Sequence, residues 1–259
     1  MPMPIPNVVQ GASECRETPT TFLNMGGRRL TDDAVWWLSQ GTQCELLTRV
    51  DLSSTFVTDV GIKALAPVSP LVTNVSLYGT SVSDDGVCAL AKAWPLLQIV
   101  NLRNTRVTSQ GVQALAASCK MLSHLNIAHT RIDSDAVWAL SDCQDLTFLN
   151  LAYTRVGDDP VCGLAAKCTR LTHIDLSFTR ITDLSVSALA VIASRPSILT
   201  ILNLESTAIT STSVRALAQW CPKLSLVNLY DTDVSKESLQ KLAQAIPGVN
   251  IQHFDSDSV

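Results

Sequence analysis

The sequence contains no uninterrupted run of about eighteen apolar residues. A membrane-spanning helix is therefore not expected, even though 46% of its 259 residues are hydrophobic and its mean hydropathy is +0.22. Its first residues, MPMPIPNVVQGASECRET, lack the basic flank and long apolar core of a secretory leader. Positive charge is not in excess: the formal net charge is −4, which argues against a generic nucleic-acid binder. Eight cysteines are too few for a disulfide-stapled scaffold of this length. Phosphate-loop, His-Glu-x-x-His and Gly-x-Ser-x-Gly patterns are missing. Only four histidines occur, and His124 and His129 lie on one expected strand and its turn, a poor arrangement for metal ligands. These absences point to an intracellular, cytoplasmic protein that is not an enzyme and holds no metal or other cofactor.

What the sequence does have is repetition. A Leu-x-x-Φ-x-Leu-x-x-Thr-x-Φ core recurs as LTRVDLSSTFV from Leu47, VTNVSLYGTSV from Val72, LQIVNLRNTRV from Leu97 and LSHLNIAHTRI from Leu122. It continues as LTFLNLAYTRV from Leu146, LTHIDLSFTRI from Leu171, LTILNLESTAI from Leu199 and LSLVNLYDTDV from Leu224. The threonines Thr55, Thr80, Thr105, Thr130, Thr154, Thr179, Thr207 and Thr232 are spaced by 25, 25, 25, 24, 25, 28 and 25 residues.

Each unit carries two periods. The alternation in VDL, VNL or IDL is that of a strand with its flanking apolar residues inward. A Thr-Asp or Ser-Asp step follows, suited to a helix start, and then a short helical pattern such as GIKALA or GVQALA. One strand and one short helix per ~25 residues is the leucine-rich repeat pattern. The units resemble the cysteine-containing leucine-rich repeat family known from F-box-type substrate receptors. That resemblance rests on Leu-x-x-Leu-x-Leu, the ITD-like step, the Leu-Ala helix and a cysteine before the next strand. Cys44, Cys119, Cys143, Cys168 and Cys221 fill this last column, with Ser69 and Trp94 in it elsewhere. The strand-end position, usually Asn or Cys in such repeats, is Thr throughout. The expected fold is an α/β solenoid of about nine or ten units, a horseshoe with a parallel sheet on the concave face and short helices on the convex face. A stack of buried, reduced cysteines is expected after the helices, not a metal site.

The expected organisation is an N-terminal extension at 1–19 and a repeat domain at 20–254. Within that domain, 20–45 is a capping repeat with Leu23, Met25 and Leu30 inward, 46–245 holds eight repeats and 246–254 is a C-terminal cap. A polar tail occupies 255–259. The longer spacing before Thr207 places an insertion around Ala193 to Ser197, in the helix and the loop after it. Trp37 and Trp220 read as core, whereas Trp36, Trp138, Cys88 and Cys162 fall at outward helix positions.

Function has to be sought on the strand face, the usual binding surface of a solenoid. The Asn/Asp column between the strand apolars reads as a ladder of side chains bonding along the sheet. Tyr78, Phe148, Tyr153, Phe178 and Tyr230 stand out as aromatic anchors, a residue type enriched at interfaces. Four successive units place Arg106, Arg131, Arg155 and Arg180 at one position, joined by Arg103, and guanidinium groups so placed can pair carboxylates or phosphates. Asp133, Asp158 and Asp183 are the nearby acids expected to absorb part of that charge, with Glu205, Asp231 and Asp233 making the C-terminal end acidic. The pattern predicts a non-catalytic scaffold or adaptor that binds a protein partner with an acidic or phosphorylated surface, without membrane contact. It would act as a monomer or as a subunit of a larger complex. The family resemblance adds an alternative, the substrate-recognition subunit of a ubiquitin ligase complex. A GTPase regulator and a nucleic-acid-binding component of a larger assembly remain open beside it.

Overall fold

The structure, a computed structural model, describes residues 20–192, 195–196 and 198–253. The expected extension at 1–19, the tail at 255–259, Phe254 of the cap and Ala193, Ser194 and Ser197 of the insertion lie outside the described residues. The chain divides into two compact units, Met1–Leu125 and Asn126–Val259.

In the first unit, short strands β1 (Phe22–Asn24), β2 (Arg49–Asp51), β3 (Asn74–Ser76) and β4 (Ile99–Asn101) pair in parallel. Leu23, Val50, Val75 and Val100 stand opposite one another in register. Helices α1 (Asp32–Ser39), α2 (Asp59–Leu65), α3 (Asp84–Ala93) and α4 (Ser109–Ser118) alternate with them. Strand β5 (His124–Asn126) lies where the two units meet in sequence. The period-two residues of the strands and the Ile62/Leu65, Val87/Leu90 and Val112/Leu115 pairs of the helices form one buried row after another. Burying each such side chain contributes about 1.5–3 kcal/mol, which no isolated repeat could collect.

In the second unit, β6 (Phe148–Asn150), β7 (His173–Asp175), β10 (Ile201–Asn203), β11 (Leu226–Asn228) and β12 (Asn250–Gln252) pair in parallel in that order. Leu149, Ile174, Leu202, Val227 and Ile251 share one register. Helices α5 (Ser134–Leu140), α6 (Asp158–Lys167), α7 (Asp183–Ala190), α8 (Ser211–Trp220) and α9 (Lys236–Ala245) alternate with the strands. The extra residues before Thr207 lie around a two-residue antiparallel pair, β8 (Val191–Ile192) with β9 (Arg195–Pro196), that follows α7. The helix ends at Ala190, so the described residues beside the insertion are this strand pair and not a longer helix.

The column after each helix has a shared chemistry. Cys44, Ser69, Trp94, Cys119, Cys143, Cys168 and Cys221 are all buried, and none of these cysteines is in a disulfide. A helix ends with carbonyls that lack partners within it. Cys44 donates to the Leu38 carbonyl, Ser69 to Leu65 at 2.8 Å, and the Trp94 indole to Ala66 at 3.1 Å. In the second unit the Cys168 thiol reaches the Cys143 carbonyl at 3.5 Å. What this corner selects is a donor that fits, and a thiol is the smallest soft one. Burial, with Cys143 nearby, pushes the Cys168 thiol up to about 12. Two other expectations are corrected. Trp37 and Trp220 are only half-buried. Cys88 and Cys162 are half-buried too, rather than open to solvent.

Candidate partner-binding surface

In most described repeats the chain turns sharply after its strand, and two side chains and one left-handed residue build the turn. The residue between the strand apolars holds the turn's own amide: Asn101 Oδ1 accepts from the Arg103 N–H at 3.1 Å, Asn150 from Ala152 at 2.9 Å and Asp175 from Ser177 at 3.0 Å. This Asn/Asp column therefore serves mainly its own turn. Rung-to-rung bonds along it are the exception, as in Asn150 Nδ2 donating to Asp175 at 3.2 Å. The buried threonine closes the turn, with Thr105 donating to Leu102 at 2.6 Å and Thr154 to Leu151 at 2.6 Å. Between them, one residue per turn adopts a left-handed backbone: Ser54, Gly79 and Asn104 in the first unit, and His129, Tyr153, Phe178, Ser206 and Asp231 in the second.

That conformation suits Gly and Asn and is costly for bulky residues. Three consecutive aromatic residues occupy it in the second unit. It turns their side chains outward, where the rings stack: His129 on Tyr153 at 4.1 Å and 16°, and Tyr153 on Phe178 at 4.0 Å and 13°. The rings stay accessible, with Tyr153 46% and Phe178 36% exposed. The preceding residues, Ala128, Ala152 and Ser177, are buried.

Two residues beyond each ring comes an arginine. Arg131, Arg155 and Arg180 are exposed, and among the described residues none of them meets an acidic side chain. The acids expected to neutralise them are engaged elsewhere. Asp158 accepts from the Thr182 N–H and hydroxyl at 2.8 and 2.7 Å and from the Ser185 N–H and hydroxyl at 3.2 and 2.5 Å. Asp183 does the same with Thr210 and Ser213 one repeat on. Burial pushes both carboxyls up, but these donors outweigh it and hold them below the ordinary carboxylate range. Asp133 caps its own helix, accepting from Asp135 N–H at 3.1 Å.

The other expected anchors lie apart from this cluster. Phe148 is half-buried on the strand face, tilted against His173 at 6.2 Å, and Tyr230 is half-buried further along. In the first unit Arg103 lies over the Tyr78 ring at 5.8 Å, and Arg106 is exposed with no acid beside it. Two features escaped the sequence reading. His129 completes the ring stack. On the first unit, Leu46, Leu71, Leu96 and Met121, one per repeat, are exposed at the same position ahead of the strands. The second unit has Asp145 and Arg170 there, paired at 2.7 Å. A shallow groove on the second unit's strand face is lined by Phe148, His173, Ile201, Leu226 and Asn228. Among the described residues, no three His, Cys, Asp or Glu side chains converge as a metal site would, and no helix is long and apolar enough to cross a membrane.

Residues 43–66 and 167–190 each match a family model described as Leucine Rich repeat. No curated protein matches the chain. Among solved structures, an internalin (inlF) from Listeria monocytogenes is similar over 91% of this chain and 69% of its own, at 16% identity and a TM-score of 0.64. An internalin C2 from the same organism is similar over 86% of this chain and 92% of its own, at 19% identity and a TM-score of 0.64. A leucine-rich repeat protein of Leptospira interrogans matches over 89% of this chain but 59% of its own, at 16% identity and a TM-score of 0.57. Identities this low speak for the fold alone. Two stretches of the chain thus match the leucine-rich repeat model, and its fold is that of a leucine-rich repeat solenoid.

Proposed function

We propose that the protein is a non-catalytic interaction module that captures a protein partner with an acidic or phosphorylated surface. The turn edge of the second unit is the contact. The observation that carries this reading is the row Arg131, Arg155 and Arg180, each exposed, each without an acid, beside the rings of Tyr153 and Phe178. Like charges on successive rungs repel unless an anion joins them. Aromatic and arginine side chains together make the commonest energetic centres of protein interfaces. Phe148 and Tyr230 on the strand face would extend the contact, and Tyr78 with Arg103 and Arg106 would make a separate one on the first unit. Buried cysteines outside any disulfide support a reducing, intracellular setting, cytoplasmic in the simplest case.

The test is affinity purification of the full chain beside the R131A/R155A/R180A variant. The expected result is loss of the partner set with an unchanged melting temperature, because exposed side chains without intramolecular partners hold no fold together. Undiminished capture refutes the proposal.

A second reading has one observation in its favour. The buried cysteine column supports kinship with the cysteine-containing repeats of F-box-type receptors, and so a place in a ubiquitin ligase complex. Co-purification of a cullin adaptor is its test.

A further inference from the structure

We infer that the occupant of the arginine row is an amphipathic α-helix with an acidic stripe, lying along the stack of rungs. The inference rests on the partner-binding reading above and names the shape of the partner. Its first support is spacing. Arg155 donates its backbone N–H to the Ile132 carbonyl at 3.4 Å, and Arg180 donates to Val156 at 2.9 Å. Each acceptor is the residue directly after the preceding arginine, so the three backbones are neighbours in one hydrogen-bonded stack. Such neighbours repeat at about 4.8 Å, or about 10 Å from the first arginine to the third.

A helix laid in the same direction presents one face every 5.4 Å or so, about 11 Å over two turns. Acids at i, i+4 and i+7 therefore meet three guanidinium groups in step. An extended chain laid in that direction repeats a face only every second residue, about 6.7 Å, and is about 4 Å out of step by the third contact.

The rings supply the second support. His129, Tyr153 and Phe178 cover one another's faces at 4.1 and 4.0 Å, so nothing planar enters between them without parting the stack. A nucleobase, which binds by its face, is poorly served by this arrangement. What the stack offers is an apolar ridge of ring edges, two residues ahead of the arginines on every rung and parallel to them. A ligand that fits both features carries an acidic stripe beside an apolar one, the surface of an amphipathic helix.

The experiment titrates the full chain against fluorescent peptides of equal charge. One is a stapled helix with Glu at i, i+4 and i+7 and Leu along the flanking stripe. The second carries the same residues broken by prolines, the third is a phosphopeptide, and an oligothymidine serves as the nucleic-acid probe. The expected result is binding of the stapled helix about tenfold tighter than its broken counterpart, lost in R131A/R155A/R180A and weakened by salt. The R131E/R155E/R180E variant should instead bind a stapled helix with Lys in place of Glu, which shows that the surface is intact. Preference for the broken peptide or the phosphopeptide, lost in the triple variant, overturns the helix and leaves the partner-binding reading standing. Preference for oligothymidine, or no binding of any anionic probe, overturns both.

Discussion

The rings of Tyr153 and Phe178 face each other at 4.0 Å and 13°, although both residues hold a left-handed backbone with φ of 57° and 54°. For a bulky residue that backbone costs about 1–2 kcal/mol, and an aromatic pair returns about 0.5–1.5 kcal/mol of it. Tyr153 stacks on both His129 and Phe178. Tyr153→Gly therefore loses about 1–3 kcal/mol of stacking against about 1–2 kcal/mol of backbone relief, part of it taken back by glycine's chain entropy. Stability should fall modestly while partner capture falls. Ser54→Gly has only the relief, since Ser54 is exposed, with φ of 54° and no ring to lose. Its melting temperature should rise by the equivalent of about 0.5 kcal/mol, the glycine's extra chain entropy taking back part of the gain. Thermal unfolding of the two variants checks this, and a drop for Ser54→Gly counts against it.

The core of this fold was legible because it obeys two periods at once. Val50, Val75 and Val100, or Cys143 and Cys168, are columns any alignment of the repeats exposes, and all are buried. The ring stack was hidden for a physical reason: nothing in local propensity places Tyr or Phe in a left-handed turn, so Tyr153 and Phe178 read as separate anchors. Asp158 and Asp183 were misread for a different reason. Their partners are 24 to 30 residues downstream, on the helix start of the next repeat, while the arginines are near in sequence and unpaired. Leu46, Leu71, Leu96 and Met121 keep the repeat spacing and could have been found. Standing next to a buried leucine column, they pass for more of the same core.

Acid should find these carboxylates. Asp183 is held below its ordinary value of 3.8, despite burial, by donors from Ser213 and Thr210. Its stabilising effect is therefore complete above that value and is lost as pH falls through the lower, folded one. Asp183→Asn turns an amide donor toward the Thr210 hydroxyl and removes the charge, costing about 1.5–3 kcal/mol at pH 7. Below pH 3.8 the gap between variant and parent should close. Denaturant melts of both proteins at pH 7, 4 and 3 measure this, and a gap that widens on acidification contradicts it.

The thiols should react in two classes. Burial pushes Cys168 up to about 12, a thiolate fraction of about one in ten thousand at pH 8. Cys44, Cys119, Cys143 and Cys221 share its buried column. Cys88 and Cys162 are half-buried, with thiols raised first by burial and then by the acids of their own helices. Iodoacetamide at pH 8 should label Cys88 and Cys162 slowly and leave the column untouched until the chain unfolds. Peptide mapping by mass spectrometry reads each thiol separately. Labelling of folded Cys168 at the pace of Cys162 would mean that the corner after the helix is open.

A last consequence concerns how one repeat holds the next. Asp84 accepts from Thr108 N–H at 2.8 Å, from the Thr108 hydroxyl at 2.6 Å and from Gly111 N–H at 3.0 Å. A Cβ on Gly111 would sit 2.6 Å from that carboxylate oxygen, so the glycine is what lets the acid reach the helix start. Gly61 and Gly86 stand in the same relation to Asp32 and Asp59, at 2.6 and 2.5 Å. Where glycine is absent from this third position, either the acid is replaced or the contact it makes is changed. The helix beginning with Ser134 is followed by one with Pro160 at this third position, which has no N–H to give. Asp158 is followed by Ser185, whose hydroxyl donates at 2.5 Å while its N–H stands back at 3.2 Å. Gly111→Ala should therefore cost about 1–3 kcal/mol through crowding, and Gly111→Ser less, because its hydroxyl can donate. Asp84→Ser combined with Gly111→Ala should cost less than the sum of the two single changes by at least about 0.5 kcal/mol. A double-mutant cycle on unfolding free energies reads that coupling directly. Strict additivity would mean that Asp84 does not depend on Gly111, and that the pairing of residues at these two positions along the chain is accidental.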